Sequence, residues 1–553
     1  MEHTYDVVVV GAGGAGMTAA LAAAKRGLDT VLIEKSEHFG GSTARSGGGV
    51  WVPGNRALRS AGQVAEDDAD RSKEYLDAIV GDTVPKARRD TFVDRGPEVI
   101  DFVLDHTPLK LAWVPRYSDY LPERPGGRAD GRSVEPVPMD GRVLGAELEH
   151  LHPPYTKAPA NLIVMQADFR KISLGLRGWF TMARIIGARM VNTLRGRKMY
   201  AMGNALTISL RKGLMDAGVP VHYDTPLTDL VVEDGRVVGV TAVRDGEEVV
   251  YRARHGVILG SGGFEKSEAL REKLLPHPTD AGWSTGSPYN TGAGIEAGIA
   301  VGAATDLMDD AWWGPTIPLP SGPWFCLAER NLPGSIIVNS AGRRFMNEAL
   351  PYVEATHEIY RGEATGVSHV PAWMVIDQRY RNKYLFAGLA PRQPFPGRWL
   401  KSGVVRKADS LAALAAEIDV PAEALTATVD RFNGFAATGV DEDFHRGESA
   451  YDQYYSDPKV TPNPSLHRID QGPFYAVQIV PGDLGTKGGI VTDEQARALR
   501  PDGTVIEGLY AAGNCSSAVM GRTYAGPGAT IGPAMTFGYL AAEHIAARAE
   551  QDA

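Results

Sequence analysis

A chain of 553 residues is long enough for two or three domains of ordinary size, and its 43% apolar and 22% charged content is that of a globular protein. Its net charge of −10 argues against nucleic acid as a partner, and no run of about 18 apolar residues marks a membrane-spanning helix. Two cysteines, Cys326 and Cys515, give neither a disulfide framework nor a haem or metal-ligand spacing, so no metal site is expected. Folded sequence begins at Tyr5, so no signal peptide is expected and the expected compartment is the cytoplasm.

Residues 5–10 are apolar and rich in β-branched side chains, the pattern of a buried parallel strand. They run into Gly11-x-Gly13-x-Ala15-Gly16 and then into an alanine-rich stretch over 17–25, a strong helix former. A second apolar strand over 30–33 ends in Glu34. This spacing predicts a dinucleotide-binding βαβ unit. Its glycines permit a tight turn and close approach of a pyrophosphate, the helix N-terminus offers free N–H groups, and Glu34 accepts from an adenosine ribose.

Residues 35–51 follow, with Lys35, Gly41, Ser42, Thr43, Ser46, Gly47 and Gly48 in a second loop rich in glycine and hydroxyls. Such a loop can wrap a pyrophosphate with backbone N–H groups, which an FAD site needs and a nicotinamide site does not. This stretch resembles the flavoproteins of the fumarate reductase and succinate dehydrogenase superfamily, some of which bind flavin covalently through a His in the loop. Residues 40–49 contain no His, and His38 lies just outside, so FAD is expected to be held noncovalently.

Residues 56–106 read as helical, and 111–127 as a Pro- and Gly-rich loop carrying Trp113, Tyr117 and Tyr120. Residues 170–198 are basic and hold no acid. At 3.6 residues per turn Leu176, Trp179, Phe180, Met182, Ile186, Met190 and Leu194 share a face, with Arg177, Arg184 and Arg195 opposite, while Ile185 and Arg189 break the pattern. Such a segment suits an anionic membrane surface or a protein partner. Short alternating strands over 219–264, with Asp234-Gly235 as a hairpin turn, predict a small meander followed by a strand that rejoins the main sheet.

Asn290-Thr-Gly-Ala-Gly294 resembles the flavin-contacting motif of the superfamily, with Ala293 in place of its usual Asp. A second domain is expected over 311–480, where aromatics and prolines gather, with a return to glycine-rich flavin-domain sequence from 481 onward. There the resemblance implies cofactor contacts from Gly513, Asn514 and the helix beginning near Ile531, whose dipole would face the flavin.

In fumarate reductases a motif like residues 342–348 precedes an Arg that clamps a dicarboxylate. Here no Arg occurs between Arg344 and Arg361, and Tyr352 stands in the region. With that departure, the segments at 40–49, 117–120, 347–352, 483–489 and Tyr524-x-Gly-Pro-Gly528 together are similar to the 3-ketosteroid Δ1-dehydrogenases over essentially the whole chain. That resemblance implies an apolar 3-ketosteroid substrate. It makes Tyr352 the base at C2, Tyr120 its hydrogen-bonding helper, and Tyr524 with the Gly528 N–H the oxyanion hole on the carbonyl. Hydride from C1 would go to the flavin. Ala525 replaces the family's Pro and is expected to loosen this loop. Electrons would leave to an external acceptor, with a quinone suited to a protein peripheral on the inner face of the cytoplasmic membrane. The expected architecture is α/β: a Rossmann-like FAD-binding domain over 1–310 and 481–553 with a small β-meander insert, and an α+β catalytic domain over 311–480. A Δ4-desaturase and a fumarate reductase-like enzyme are the alternatives from the same fold, and a flavin module without turnover the alternative from another class.

Overall fold

The apolar run at residues 7–10 forms the core of strand Glu2–Val10, in which Val7, Val8 and Val9 are fully buried in a computed structural model of the chain. The structure describes all residues except 67, 155–159, 166–167, 169–175 and 553, and at 176–179 and 552 the backbone alone. The first strand lies inside an eight-stranded sheet, six strands of which run in the order 497–499, 505–511, 247–259, 2–10, 30–33 and 221–222, while 236–244 and 227–233 branch from 247–259. Parallel ladders join the middle members, for example Val8 with Val257 and Val8 with Val31. Strands buried on both faces in this way need continuous apolar runs, which residues 7–10, 30–33 and 257–259 supply. Helix Gly14–Lys25 crosses between the first two strands and packs against the last helix, Ile531–Asp552.

The meander consists of Leu227–Glu233, Arg236–Arg244 and Glu247–Leu259. Asp234 and Gly235 both have positive φ, 48° and 79°, as a two-residue hairpin turn requires, and Asp245-Gly246 makes a second such turn at 53° and 81°. The third hairpin strand and the strand rejoining the main sheet are one 13-residue element rather than two. No turn former lies between Tyr251 and Gly256, so nothing interrupts it.

A six-stranded antiparallel sheet contains Ala311–Ile317, Trp324–Phe325, Ser335–Val338, Ala372–Asp377, Val405–Ala408 and Phe474–Thr486. The 13-residue strand Phe474–Thr486 pairs with 372–377 through its first half and with 311–317 through its second. Helix Tyr352–Glu363 packs on strands 311–317 and 474–486 and carries one of the tyrosines singled out above.

In the basic segment, 170–175 and the side chains of Leu176, Arg177 and Trp179 lie outside the described residues. The remainder forms helix Leu176–Leu194. Ile185, which interrupts the apolar face in the sequence, is 2% exposed and turned inward, whereas Phe180, Met190 and Leu194 are 77%, 61% and 85% exposed. The buried stripe is therefore narrow, and a broad apolar face is turned outward.

Candidate active site

One cavity of about 490 Å³ runs between the ends of the parallel strands and the six-stranded sheet. Its cofactor-shaped end is built from backbone. Gly11 has φ +101°, and a Cβ there would stand 2.6 Å from the Gly260 carbonyl oxygen, so only glycine fits. Helix Gly14–Lys25 starts at Gly13, which has no side chain to cap it, leaving first-turn N–H groups other than that of Gly14 for a ligand. Glu34 Oε2 accepts the Ala12 N–H at 2.8 Å, and its Oε1 accepts from the Ser36 N–H and hydroxyl at 3.0 Å each. Burial pushes this carboxyl above its ordinary pKa, and those hydrogen bonds and Lys35 pull it back.

Lys35 donates to the Thr291 hydroxyl at 2.8 Å, and Thr43 Oγ1 accepts the Gly14 N–H at 3.1 Å, which draws the second glycine loop onto the first. Ser42 accepts from the Ser287 N–H and the Asn290 amide, at 2.9 and 3.1 Å. Gly41, Ser46, Gly47, Gly48, Gly513, Asn514 and Ile531 also line this end, as do Gly13 and Ala15. Gly16 lies behind the wall: a Cβ there would be 1.9 Å from the Gly11 carbonyl oxygen, so its role is the packing of helix on strand. A glycine cradle, a helix N-terminus and a half-buried carboxylate fit the phosphates and ribose of FAD. Neither His38 nor His152 is among the residues lining the cavity.

The other end is aromatic. The Tyr120 hydroxyl donates to the Tyr352 hydroxyl at 3.1 Å. The rings of Tyr120, Tyr352 and Tyr524 meet edge to face, with centroids 5.2 to 5.5 Å apart. Trp312 and Phe325 complete the wall, 4.8 Å from Tyr524 and 5.1 Å from Tyr352. The Thr530 hydroxyl donates to the Tyr524 oxygen at 2.9 Å. Burial raises the Tyr524 pKa, while Thr530, Tyr352 and the adjacent Gly528 N–H counteract it. Tyr524 and the Gly528 N–H thus stand side by side. Gly528 has φ +98°, and a Cβ would meet the Gly49 backbone at 2.3 Å, so both the turn and the close approach of the second glycine loop demand glycine. Burial pushes Tyr352 well above its ordinary pKa, neighbouring Tyr524 and Tyr117 add to this, and the Tyr120 hydrogen bond opposes it. Tyr120 favours the phenolate, but burial outweighs it.

The loop carrying Tyr524 is held through its backbone carbonyls. The Ala525 carbonyl accepts from the Tyr120 N–H at 3.0 Å and from the Tyr75 hydroxyl at 2.8 Å. The Ser133 hydroxyl holds the Pro527 carbonyl at 2.8 Å. These bonds, absent from any local sequence signal, tie the loop to distant parts of the chain whichever side chain stands at 525.

Residues 6–531 match the FAD binding domain family. The chain is 58% identical to a 3-oxosteroid 1-dehydrogenase of Mycolicibacterium smegmatis, over 99% of this chain and 98% of that protein. A 3-oxosteroid 1-dehydrogenase of Mycobacterium tuberculosis H37Rv is 56% identical over 99% of each chain. The chain belongs to the 3-oxosteroid 1-dehydrogenases. It superimposes with a TM-score of 0.93, at 38% identity and over 99% of this chain and 100% of the other, on the 3-ketosteroid delta1-dehydrogenase of Sterolibacterium denitrificans, solved in complex with 1,4-androstadiene-3,17-dione. As a 3-oxosteroid 1-dehydrogenase it is an FAD-dependent oxidoreductase.

Within this 3-oxosteroid 1-dehydrogenase the cations lining the cavity, Lys35 and Arg45, belong to the glycine-loop end. The tyrosine end has none among the described residues, as the missing fumarate reductase Arg foretold. Sequence reasoning did not single out Tyr75, Leu327, Thr285 or Glu265. Tyr75 lies 450 residues from the carbonyl it holds, and no spacing links them.

Proposed function

We propose that this enzyme removes hydrogens from C1 and C2 of 3-ketosteroids. The steroid ring A sits at the tyrosine end. The Tyr524 hydroxyl and the Gly528 N–H donate to the 3-keto oxygen, stabilise the enolate that forms there, and so acidify the C2 hydrogen. Tyr352 takes that proton, and Tyr120 supports the phenolate by hydrogen bonding. Bound FAD, held noncovalently by the two glycine loops with Glu34, Asn514 and Ile531, supplies the acceptor of the C1 hydride. The observation that carries this reading is the Tyr120–Tyr352 hydrogen bond beside Tyr524, in a cavity end lined by no cation among the described residues. We further propose the division into a flavin domain, 1–310 and 481–553, and a capping domain, 311–480, with strand Phe474–Thr486 shared across the second boundary.

An external acceptor, which we take to be a quinone, receives the electrons. No described helix is long and apolar enough to cross a membrane. Phe180, Met190, Val191 and Leu194 project from helix Leu176–Leu194, with exposed Arg184, Arg195, Arg197 and Lys198 nearby. We propose that this helix lies on the anionic inner face of the cytoplasmic membrane, where quinone and a poorly soluble steroid are concentrated.

The test is anaerobic mixing of the yellow protein with androst-4-ene-3,17-dione, beside Tyr352→Phe. Flavin bleaching with a 1,4-diene product, lost in the variant, is the expected result. No bleaching with androst-4-ene-3,17-dione, but bleaching with 5α-androstane-3,17-dione to give the 4-ene, would replace this reading with Δ4 chemistry, and no bleaching with either while FAD is in place would remove it.

A further inference from the structure

Four ionisable side chains that this chemistry does not use cluster behind the tyrosines. Lys487 is fully buried, donates to the Thr523 carbonyl at 2.8 Å and stands 3.6 Å from Asp310 Oδ2. Its ammonium lies 4.9 Å from the centre of the Trp312 ring. Asp310 Oδ1 accepts from the Trp313 indole N–H at 2.6 Å and lies 3.0 Å from His357 Nε2. His357 Nδ1 is 3.8 Å from Glu354 Oε2, and Glu354 Oε1 accepts from the Thr523 hydroxyl at 3.1 Å.

Both reacting groups are tied into this cluster. Glu354 and His357 occupy the first two turns of the helix that begins with Tyr352. Thr523, the residue before Tyr524, is gripped twice, at its carbonyl by Lys487 and at its hydroxyl by Glu354. Burying charged groups is not the most stable way to fill such a space, since apolar side chains often do as well. Charges do supply directional contacts that fix one arrangement, and a misplacement of about 1 Å costs on the order of a hundredfold in rate.

We infer that Lys487, Asp310, His357 and Glu354 are positioning residues that lock the base helix to the oxyanion loop, an inference that rests on the roles proposed for Tyr352 and Tyr524. His357 gives the cluster a titratable member. It faces Asp310 from the strand edge, Glu354 from its own helix and Lys487 from the end of strand Phe474–Thr486, with the Arg522–Asp309 pair nearby on the surface. Burial disfavours its charge, but Asp310 and Glu354 outweigh burial and raise its pKa to about 9. Below that pH the cluster holds two cations and two anions. Above it the balance is lost, and Asp310 and Glu354 are released from their shared partner.

The test compares His357→Gln, Lys487→Met and the charge-balanced double variant Lys487→Met/Asp310→Asn with the native holoenzyme. The double variant guards against a fold lost to an uncompensated buried carboxylate. Measured are FAD content, steroid affinity, and the rate of flavin reduction from about pH 6 to about 10. The expected result is FAD and steroid binding within about threefold of native, with reduction about 10- to 100-fold slower. The native rate should rise with pH and flatten above about 9, and His357→Gln should rise without that break. Rates within about threefold of native in every variant overturn the inference, as does a parallel loss of rate and steroid affinity, the mark of a general packing defect. Tyr352→Phe is run alongside. If it stays active, the roles beneath the inference fail; if it is inactive while the cluster variants are unimpaired, the cluster alone fails.

Discussion

Removing the Tyr524 hydroxyl isolates the oxyanion hole. The ring of Tyr524→Phe keeps its packing against Trp312, Tyr120 and Tyr352, whose centroids lie 4.8, 5.2 and 5.5 Å away. The stability cost is the hydrogen bond from Thr530, about 1 kcal/mol. The catalytic cost is larger, because a buried donor aimed at developing charge contributes about 2.7–4 kcal/mol, or roughly 10²- to 10³-fold in rate. Tyr524 is 5% exposed, so water cannot replace the lost donor and the upper part of that range applies. The assay is anaerobic rapid mixing with androst-4-ene-3,17-dione, following flavin absorbance, with steroid affinity measured separately. Affinity should change by less than about tenfold, since the ketone gains most from the donor once it carries negative charge. Thr530→Val, which only weakens Tyr524 as a donor, should lose less than about tenfold in rate. A fall of under about threefold in Tyr524→Phe would refute the assignment of the oxyanion hole.

Tyr120→Phe removes the donor that opposes burial at Tyr352, so the Tyr352 pKa rises further and the reduction rate should fall about 10- to 100-fold at every pH below 9, as a pH series would show. Glu265, fully buried, is raised to about 7 first by burial and then by Asp483. The native state therefore holds a proton that the unfolded chain releases near its ordinary pKa, and stability falls as pH rises from about 4.5 to about 7. Glu265→Gln should abolish that decline, on the order of 3 kcal/mol, in denaturant titrations across the window. Replacing Phe180 and Leu194 together by Ser should release the protein from anionic vesicles in a sedimentation assay while leaving bulk turnover with a soluble acceptor unchanged.

The cofactor end was legible because local chemistry dictates it. Strand, glycines, helix and acid lie within the first 34 residues, and their geometry follows from covalent neighbours. Asp234-Gly235 marked its hairpin for the same reason, and Asp245-Gly246 carried an equal signal that went unused. The tyrosines are different. Nothing in their spacing separates Tyr120, Tyr352 and Tyr524 from the other tyrosines among 20, and only resemblance selected them. Strand Phe474–Thr486 crosses the expected boundary near 480 without a break, and its side chains are almost all buried, so no alternation announces it. The contacts that hold Ala525 come from residues far away in the chain, where sequence patterns do not reach.

The antiparallel pairing of 311–317 with 480–486 has a mechanical meaning. The polypeptide passes between the two sheets at these points as a hydrogen-bonded ribbon, with the Lys487 N–H on the Asp310 carbonyl at 3.0 Å closing its end. A single strand swivels about two torsions per residue, whereas a ladder resists bending because hinge motion must break several hydrogen bonds at once. Opening the cavity by a hinge at this ribbon would therefore cost several hydrogen bonds together, a cost that rotating side chains at its mouth does not carry.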